Sequence, residues 1–144
     1  MPSAERRPTR RALRPAGLTT ARGAWSHVLA LDAPGGGTLI FVAGQTALAA
    51  DGTVVGTGDF AAQFERTYAN LGVALAAAGA GYADIASLRT FLTRDEDVAA
   101  FVALRDARHR LLFPAGDNPP NTLLVVRRLA LPELLIEIEA IAAV

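Results

Sequence analysis

Apolar and polar positions alternate in two ways along this chain, and the change of period marks out its elements. Ala24 to Leu31 (AWSHVLAL) alternates loosely, as a half-buried strand does, and stops at the turn Pro34-Gly35-Gly36-Gly37. Thr38 to Gln45 (TLIFVAGQ) is β-branched and aromatic, which predicts a second strand paired with the first as a hairpin. The glycine-rich stretch Leu48 to Gly58 reads as a connection. The period then becomes helical: Phe60, Phe64, Tyr68, Leu71 and Leu75 fall on one stripe behind Asp59, whose carboxylate suits a helix N-terminus. Gly79 and Gly81 end that helix. Ile85 to Leu92 (IASLRTFL) is apolar at both alternating sets, as in a strand covered on both sides.

A second helix follows, with Asp95, Glu96 and Asp97 at its positive end and Arg105, Arg108 and Arg110 toward its negative end. Val98, Phe101, Val102, Arg105, His109 and Leu112 share one face of it. Pro114, Gly116, Pro119 and Pro120 force a loop. Thr122–Val126 and Leu134–Ile141 then close the fold as two strands, joined through Leu131-Pro132-Glu133. The predicted order is β-β-α-β-α-β-β: an α+β domain with a mixed sheet and two helices packed on one face. The other face carries apolar side chains, and burial against further copies of the chain would cover it.

The 144 residues suit one domain, and 51% apolar against 19% charged residues predicts folding, not disorder. The chain has no cysteine, which excludes disulfides and thiolate metal sites, and two histidines are little material for a zinc centre. The charge-free run from Thr67 to Ala83 is interrupted by glycine and too short to span a bilayer comfortably, so no membrane role is expected and a cytoplasmic location is.

Charge is unevenly spread. Residues 1–22 hold six of the fourteen arginines and a single acid, leaving eight arginines against thirteen acids in the body. A targeting segment, a nucleic-acid arm and a solvated leader would each fit such a head. Leu13 is followed by Arg14, Pro15 and Gly17, which breaks the apolar run a secretory signal needs. A disordered arginine-rich extension over residues 1–22, ahead of a domain over residues 23–144, is the expectation.

Four segments carry a family resemblance: FVAGQ at Phe41–Gln45, LGVALAAAGAGYADIASLRTFLT at Leu71–Thr93, NPPNTLLVV at Asn118–Val126 and LLIEIEAIA at Leu134–Ala142. In this order they resemble the Rid (YjgF-like) family of reactive-intermediate deaminases, some of which carry an L-PSP endoribonuclease label. The resemblance implies a chorismate-mutase-like fold, a homotrimer and small-molecule sites at the subunit clefts. It further implies hydrolysis of imines and enamines to a keto acid and ammonia, with no metal or organic cofactor. In the family an arginine clamps the substrate carboxylate and a glutamate of the last strand positions water.

Carried onto this chain, the glutamate is Glu137, the expected catalytic residue. It shares a strand face with Glu139, which reads as structural. In an apolar pocket its pKa would rise. The family's Pro-Ala-Arg-Ser becomes Pro119-Pro120-Asn121-Thr122, so Asn121 stands where the arginine would be. An amide offers neither charge nor a bidentate fork. Losing such a pair costs about 2–4 kcal/mol of binding, roughly 30-fold to nearly a thousandfold, which disfavours 2-aminoacrylate-like acids. Arg127 and Arg128 lie about 20 Å further along an extended strand. Arg89, Arg105 and Arg108 remain as stand-ins from elsewhere in the fold.

Trp25 replaces the tyrosine that often precedes Ser26, and Ala43 replaces the serine of FVSGQ. Gly44 is kept: it either lets a ligand approach the backbone or marks a strand bulge. Asn121, Thr122, Trp25, Gly44 and Ala43 are thus the expected substrate-binding residues. His27 either lines the cleft or sits on an exposed strand position, and His109 reads as packed. Three functions compete: an imine or enamine hydrolase, a non-catalytic trimer that binds a metabolite or partner, and a ribonuclease. The acidic body and the absence of a histidine pair argue against the last and against a nucleic-acid partner.

Overall fold

A computed structural model describes residues 7–144. Six strands form one sheet: β1 (Thr9–Leu13), β2 (Val28–Asp32), β3 (Thr38–Thr46), β4 (Ile85–Leu92), β5 (Asn121–Val125) and β6 (Ile136–Ala143). Their order across the sheet is β1-β2-β3-β6-β4-β5. All neighbours are antiparallel except β4 and β5, which run parallel. That geometry follows from the chain: a parallel pair needs a long crossover, and helix α2 (Val98–Leu112) supplies it. The mixed sheet with two helices matches the expected α+β architecture.

Helix α1 (Phe60–Ala77) begins where Asp59 accepts a hydrogen bond from the Ala62 N–H at 3.0 Å. Phe60, Phe64, Tyr68, Leu71 and Leu75 are all buried, so the predicted stripe is the one that meets the sheet. Against it lie Val28, Ala30, Ile40, Val42, Ile136, Ile138, Ala140 and Ala142. Gly79 takes φ +81° just beyond the helix, a conformation that suits glycine alone among common residues. The three acids expected in the first turn of α2 form a separate 3-10 turn at Asp95–Asp97. Asp97 is held there by one edge of the Arg94 guanidinium, whose Nε and a terminal nitrogen donate to its two oxygens at 2.7 and 3.0 Å.

The expected disordered extension over residues 1–22 is not what residues 9–13 form: they add β1 to the outer edge of the sheet, while residues 1–6 lie outside the described residues. A fork from Arg11 to Asp32, at 2.9 and 3.0 Å, ties that strand to β2. Arginine-rich TRRAL lacks the apolar alternation by which a strand is recognised, and its partner lies about twenty positions away. Leu18, further along the same stretch, is buried in the core.

Alternation along β6 decides what faces where. Ile136, Ile138, Ala140 and Ala142 point to the helices, while Glu137, Glu139, Ile141 and Ala143 point to the open face. Leu39, Phe41 and Ile141 remain well exposed on that open face. Arg89 and Glu139, paired across β4 and β6, form an ion pair among them.

Candidate functional site

A cavity of about 330 Å³ opens where β3 meets β6. Its walls include Glu137, Gly44, Ala43, Trp25, His27 and Asn70. The β3–β6 register slips between Val42 and Gln45, so Ala43 and Gly44 form a bulge. Both sequence readings of Gly44 therefore meet at one position. A Cβ placed on Gly44 would lie 1.8 Å from Oε1 of Glu137, so the carboxyl occupies the space that the missing side chain leaves.

Burial raises the pKa of Glu137, and the neighbouring Glu139 carboxylate raises it further. No described residue donates a hydrogen bond to the Glu137 carboxyl. Among the described residues it is also the only formally charged side chain lining this cavity. The chemistry available is that of a carboxyl poised to exchange a proton with whatever enters, beside an apolar wall that includes Leu131 and Leu134.

His27 is buried and in the cavity wall, which decides between its two sequence readings. Its Nε2 lies 2.7 Å from the Thr19 carbonyl, which can only accept, so that nitrogen carries the proton. Its Nδ1 lies 3.4 Å from the Gln45 amide nitrogen, whose firmer bond goes to the Ala43 carbonyl at 2.9 Å. The ring is thus held in place from both nitrogens and forms no hydrogen bond with Glu137. Trp25 packs edge-on to it, with ring centres 4.8 Å apart. The Trp25 indole N–H donates to the Arg22 carbonyl at 2.8 Å, and Arg14 grips the Trp25 carbonyl.

Several wall residues escaped the sequence reading. Asn70 of α1 donates to the Thr46 and Leu48 carbonyls, both at 2.8 Å, which leaves its own oxygen without a partner among the described residues. Gln63 joins α1 to the Glu133 carbonyl and the Leu135 N–H, at 2.7 and 2.8 Å, fixing the segment that carries Leu134. A buried amide on an otherwise apolar helix stripe was the available signal for both.

Asn121 and Thr122 lie elsewhere. Asn121 pairs with Leu88 in the β4–β5 ladder and faces the helices, not Glu137. Its Oδ1 accepts from Thr90 at 3.2 Å, while its buried Nδ2 has no partner. Thr122, one position on, is exposed and lines neither this cavity nor the next. Asn121 instead lines a separate cavity of about 490 Å³, together with Arg105, His109, Arg110 and Asn118. His109 lies 3.0 Å from the Tyr68 hydroxyl and is buried, as read from sequence. Burial and the nearby Arg105 lower its pKa. Of the substrate-binding residues expected from sequence, Trp25, Ala43 and Gly44 meet Glu137 within one chain; Asn121 and Thr122 do not.

The family model described as Endoribonuclease L-PSP matches residues 17–144. Among solved structures, the protein YJGH is 31% identical, with a TM-score of 0.72 over 94% of this chain and 96% of its own. The YjgF gene product of E. coli is 26% identical, with a TM-score of 0.75 over 92% and 97%. A Thermotoga maritima protein described as a putative endoribonuclease is 26% identical, with a TM-score of 0.73 over 92% and 95%. No curated protein sequence matches.

Proposed function

The chain belongs to the endoribonuclease L-PSP family, which includes the YjgF and Rid proteins, and from that premise we propose that it hydrolyses an uncharged imine or enamine in the Glu137 cavity. The observation that carries the reading is the buried carboxyl of Glu137, seated in the gap left by Gly44, with no cation in the same cavity. A substrate that brings its own carboxylate would meet a like charge there and no counter-ion. Efficient turnover of 2-aminoacrylate is therefore not expected.

The steps balance with water alone. An enamine takes a proton at carbon, or an imine takes one at nitrogen, from the Glu137 carboxyl, and either becomes an iminium ion. The carboxylate then draws a proton from water as the water oxygen bonds to the iminium carbon, giving a neutral carbinolamine and restoring the carboxyl. That proton passes to nitrogen, ammonia leaves as the C–N bond breaks, and the hydroxyl proton returns to the carboxylate to leave a carbonyl compound. A raised pKa suits a group that must both give and take. Trp25 and Leu131 supply flat and apolar contacts, and Ala43 and Gly44 let the ligand approach the backbone. No metal or organic cofactor enters the scheme. We propose a homotrimer as the working state, because Leu39, Phe41 and Ile141 leave an apolar sheet face open.

Ammonia release from freshly generated imines without a carboxylate tests the reading. Glu137→Gln should lower the rate by about 100-fold or more. Equal rates for parent and variant on every such substrate would end the catalytic reading. One observation favours a binding role in that event: His27 is tied away from the carboxyl, so a single group must carry every proton. Under a binding role, Glu137→Ala leaves ligand-induced thermal stabilisation largely intact. RNA cleavage has less support, since a lone carboxyl repels phosphate.

A further inference from the structure

We propose that Gln45 and Asn70 form the nitrogen-binding end of the Glu137 cavity. Their side-chain oxygens accept from the N–H groups of the substrate's imine or enamine nitrogen and hold it as it becomes an iminium ion. This role rests on the hydrolysis proposed above and adds the groups that meet its nitrogen.

Both amides are turned the same way, and backbone carbonyls fix the turn. Gln45 Nε2 donates to the Ala43 carbonyl at 2.9 Å and faces His27 Nδ1 at 3.4 Å. Asn70 Nδ2 donates to the Thr46 and Leu48 carbonyls, both at 2.8 Å. A carbonyl can only accept, so each amide turns its nitrogen toward the backbone and spends both of its protons there or on the imidazole. The two oxygens are left over, with no partner among the described residues. They are not sealed in. Among those residues, the buried side-chain atoms that lack both a partner and open surface are Thr67 Oγ1 and Asn121 Nδ2 alone. Gln45 and Asn70 are 3% and 5% exposed and both line the cavity, which is where that remaining surface opens.

The rest of the wall says what such oxygens can hold. Trp25, His27, Gln45 and Asn70 are the wall residues whose side chains carry N–H groups. Trp25 gives its own to the Arg22 carbonyl at 2.8 Å, and His27 Nε2 gives its own to the Thr19 carbonyl at 2.7 Å. No side-chain N–H of the wall is left for a ligand, while two amide oxygens and the Glu137 carboxyl are open to accept. Buried acceptors are seldom left without a use, and this set asks for a donor. A substrate that releases ammonia has an unsubstituted nitrogen, so its iminium ion carries two N–H groups, one for each oxygen. The positive charge strengthens both bonds. Placement agrees: Gln45 follows Gly44, against which the carboxyl sits, and Thr46, whose carbonyl Asn70 grips, pairs with Glu137 across β3 and β6.

The test titrates the full-length, isotopically labelled protein with two cations. Acetamidinium is a stable planar ion with the N–H groups of an iminium ion; tetramethylammonium has the charge and no N–H. The readout is the NMR signals of the Gln45 and Asn70 side-chain amides. Saturable shifts at both are expected with acetamidinium, and none with tetramethylammonium. Gln45→Met, which keeps the length and removes the acceptor, should weaken acetamidinium binding by about tenfold. Should that variant fail to fold, the signals of the parent still decide. Amide signals unmoved by acetamidinium would overturn the role, as would equal shifts from the two cations, which would mean that charge alone is sensed. Neither probe is turned over, so the result separates from hydrolysis. Glu137-dependent ammonia release without amide shifts would remove this role alone; amide shifts beside Glu137-independent release would keep the nitrogen site and remove the chemistry.

Discussion

Two cavities share one sheet and differ in almost everything that governs ligand choice. The first, on the β3–β6 side, holds a lone carboxyl with a raised pKa among apolar walls. The second, beside β5, holds two guanidiniums and an idle amide N–H. One presents a carboxyl to whatever enters and the other presents guanidiniums. The comparison shows how a substitution at one position can be misread. Asn121 in place of an arginine looks like a simple loss of charge along the sequence, yet in space it stands beside two arginines that α2 contributes.

The contrast can be attacked at several points. The largest effect is expected at Glu137. The rate loss already described for Glu137→Gln is the first part of it. The pH dependence follows from the sign of the shift. Burial raises the folded-state pKa, so in the parent the unfolded chain ionises first as pH climbs. Ionisation therefore costs stability above the ordinary carboxylate range, near ~4.3, and costs nothing below it. Glu137→Gln should be the more stable protein at neutral pH, with the advantage fading in acid. Denaturant melts at both pH values would show this, and an advantage that grew in acid would contradict it.

Next in size is Gln63→Leu. The change strips partners from the Leu135 N–H and the Glu133 carbonyl, and each buried group left unpaired costs ~1–3 kcal/mol. Urea unfolding should register a loss of about 2–4 kcal/mol. Ligand binding should weaken at the Glu137 cavity, whose Leu134 wall Gln63 anchors.

Gly44→Ala comes third on stability and is more telling on function. The new methyl would strike the Glu137 carboxyl, the far end of a flexible side chain that can swing away. Melting temperature should fall little, while turnover drops with the displaced carboxyl. A large loss of stability with activity preserved would mean that the carboxyl does not sit against Gly44. Smallest is Trp25→Phe, which keeps an aromatic wall but breaks the bond to Arg22. Loss of one hydrogen bond of ~0.5–1.5 kcal/mol should raise KM by about tenfold at most.

Much of the fold was legible because it rests on local periodicity. The α1 stripe from Phe60 to Leu75 is buried as read, and β4 spans Ile85–Leu92 as predicted. Alternation also placed Glu137 and Glu139 on one face. What escaped depends on contacts between distant segments. β1 is held by an arginine fork to Asp32, and no periodicity within TRRAL announces that. Thr122 comes with Asn121 on the family motif, yet a strand turns adjacent residues to opposite faces. Leu18 and Thr19 reach the cavity from a stretch read as extension. His27 had two open readings until Thr19 and Gln45 were seen to grip its ring.

Strand β1 has a bearing on how the protein keeps to itself in solution. It caps the free edge of β2 and carries the exposed Arg10, a charge that discourages another sheet from docking. A chain trimmed to begin at residue 14 would leave the backbone of Val28–Asp32 unpaired next to apolar side chains, an open template for strand addition. Shortening this basic head should cost solubility before it costs fold, with light scattering rising at protein concentrations where the intact chain stays clear.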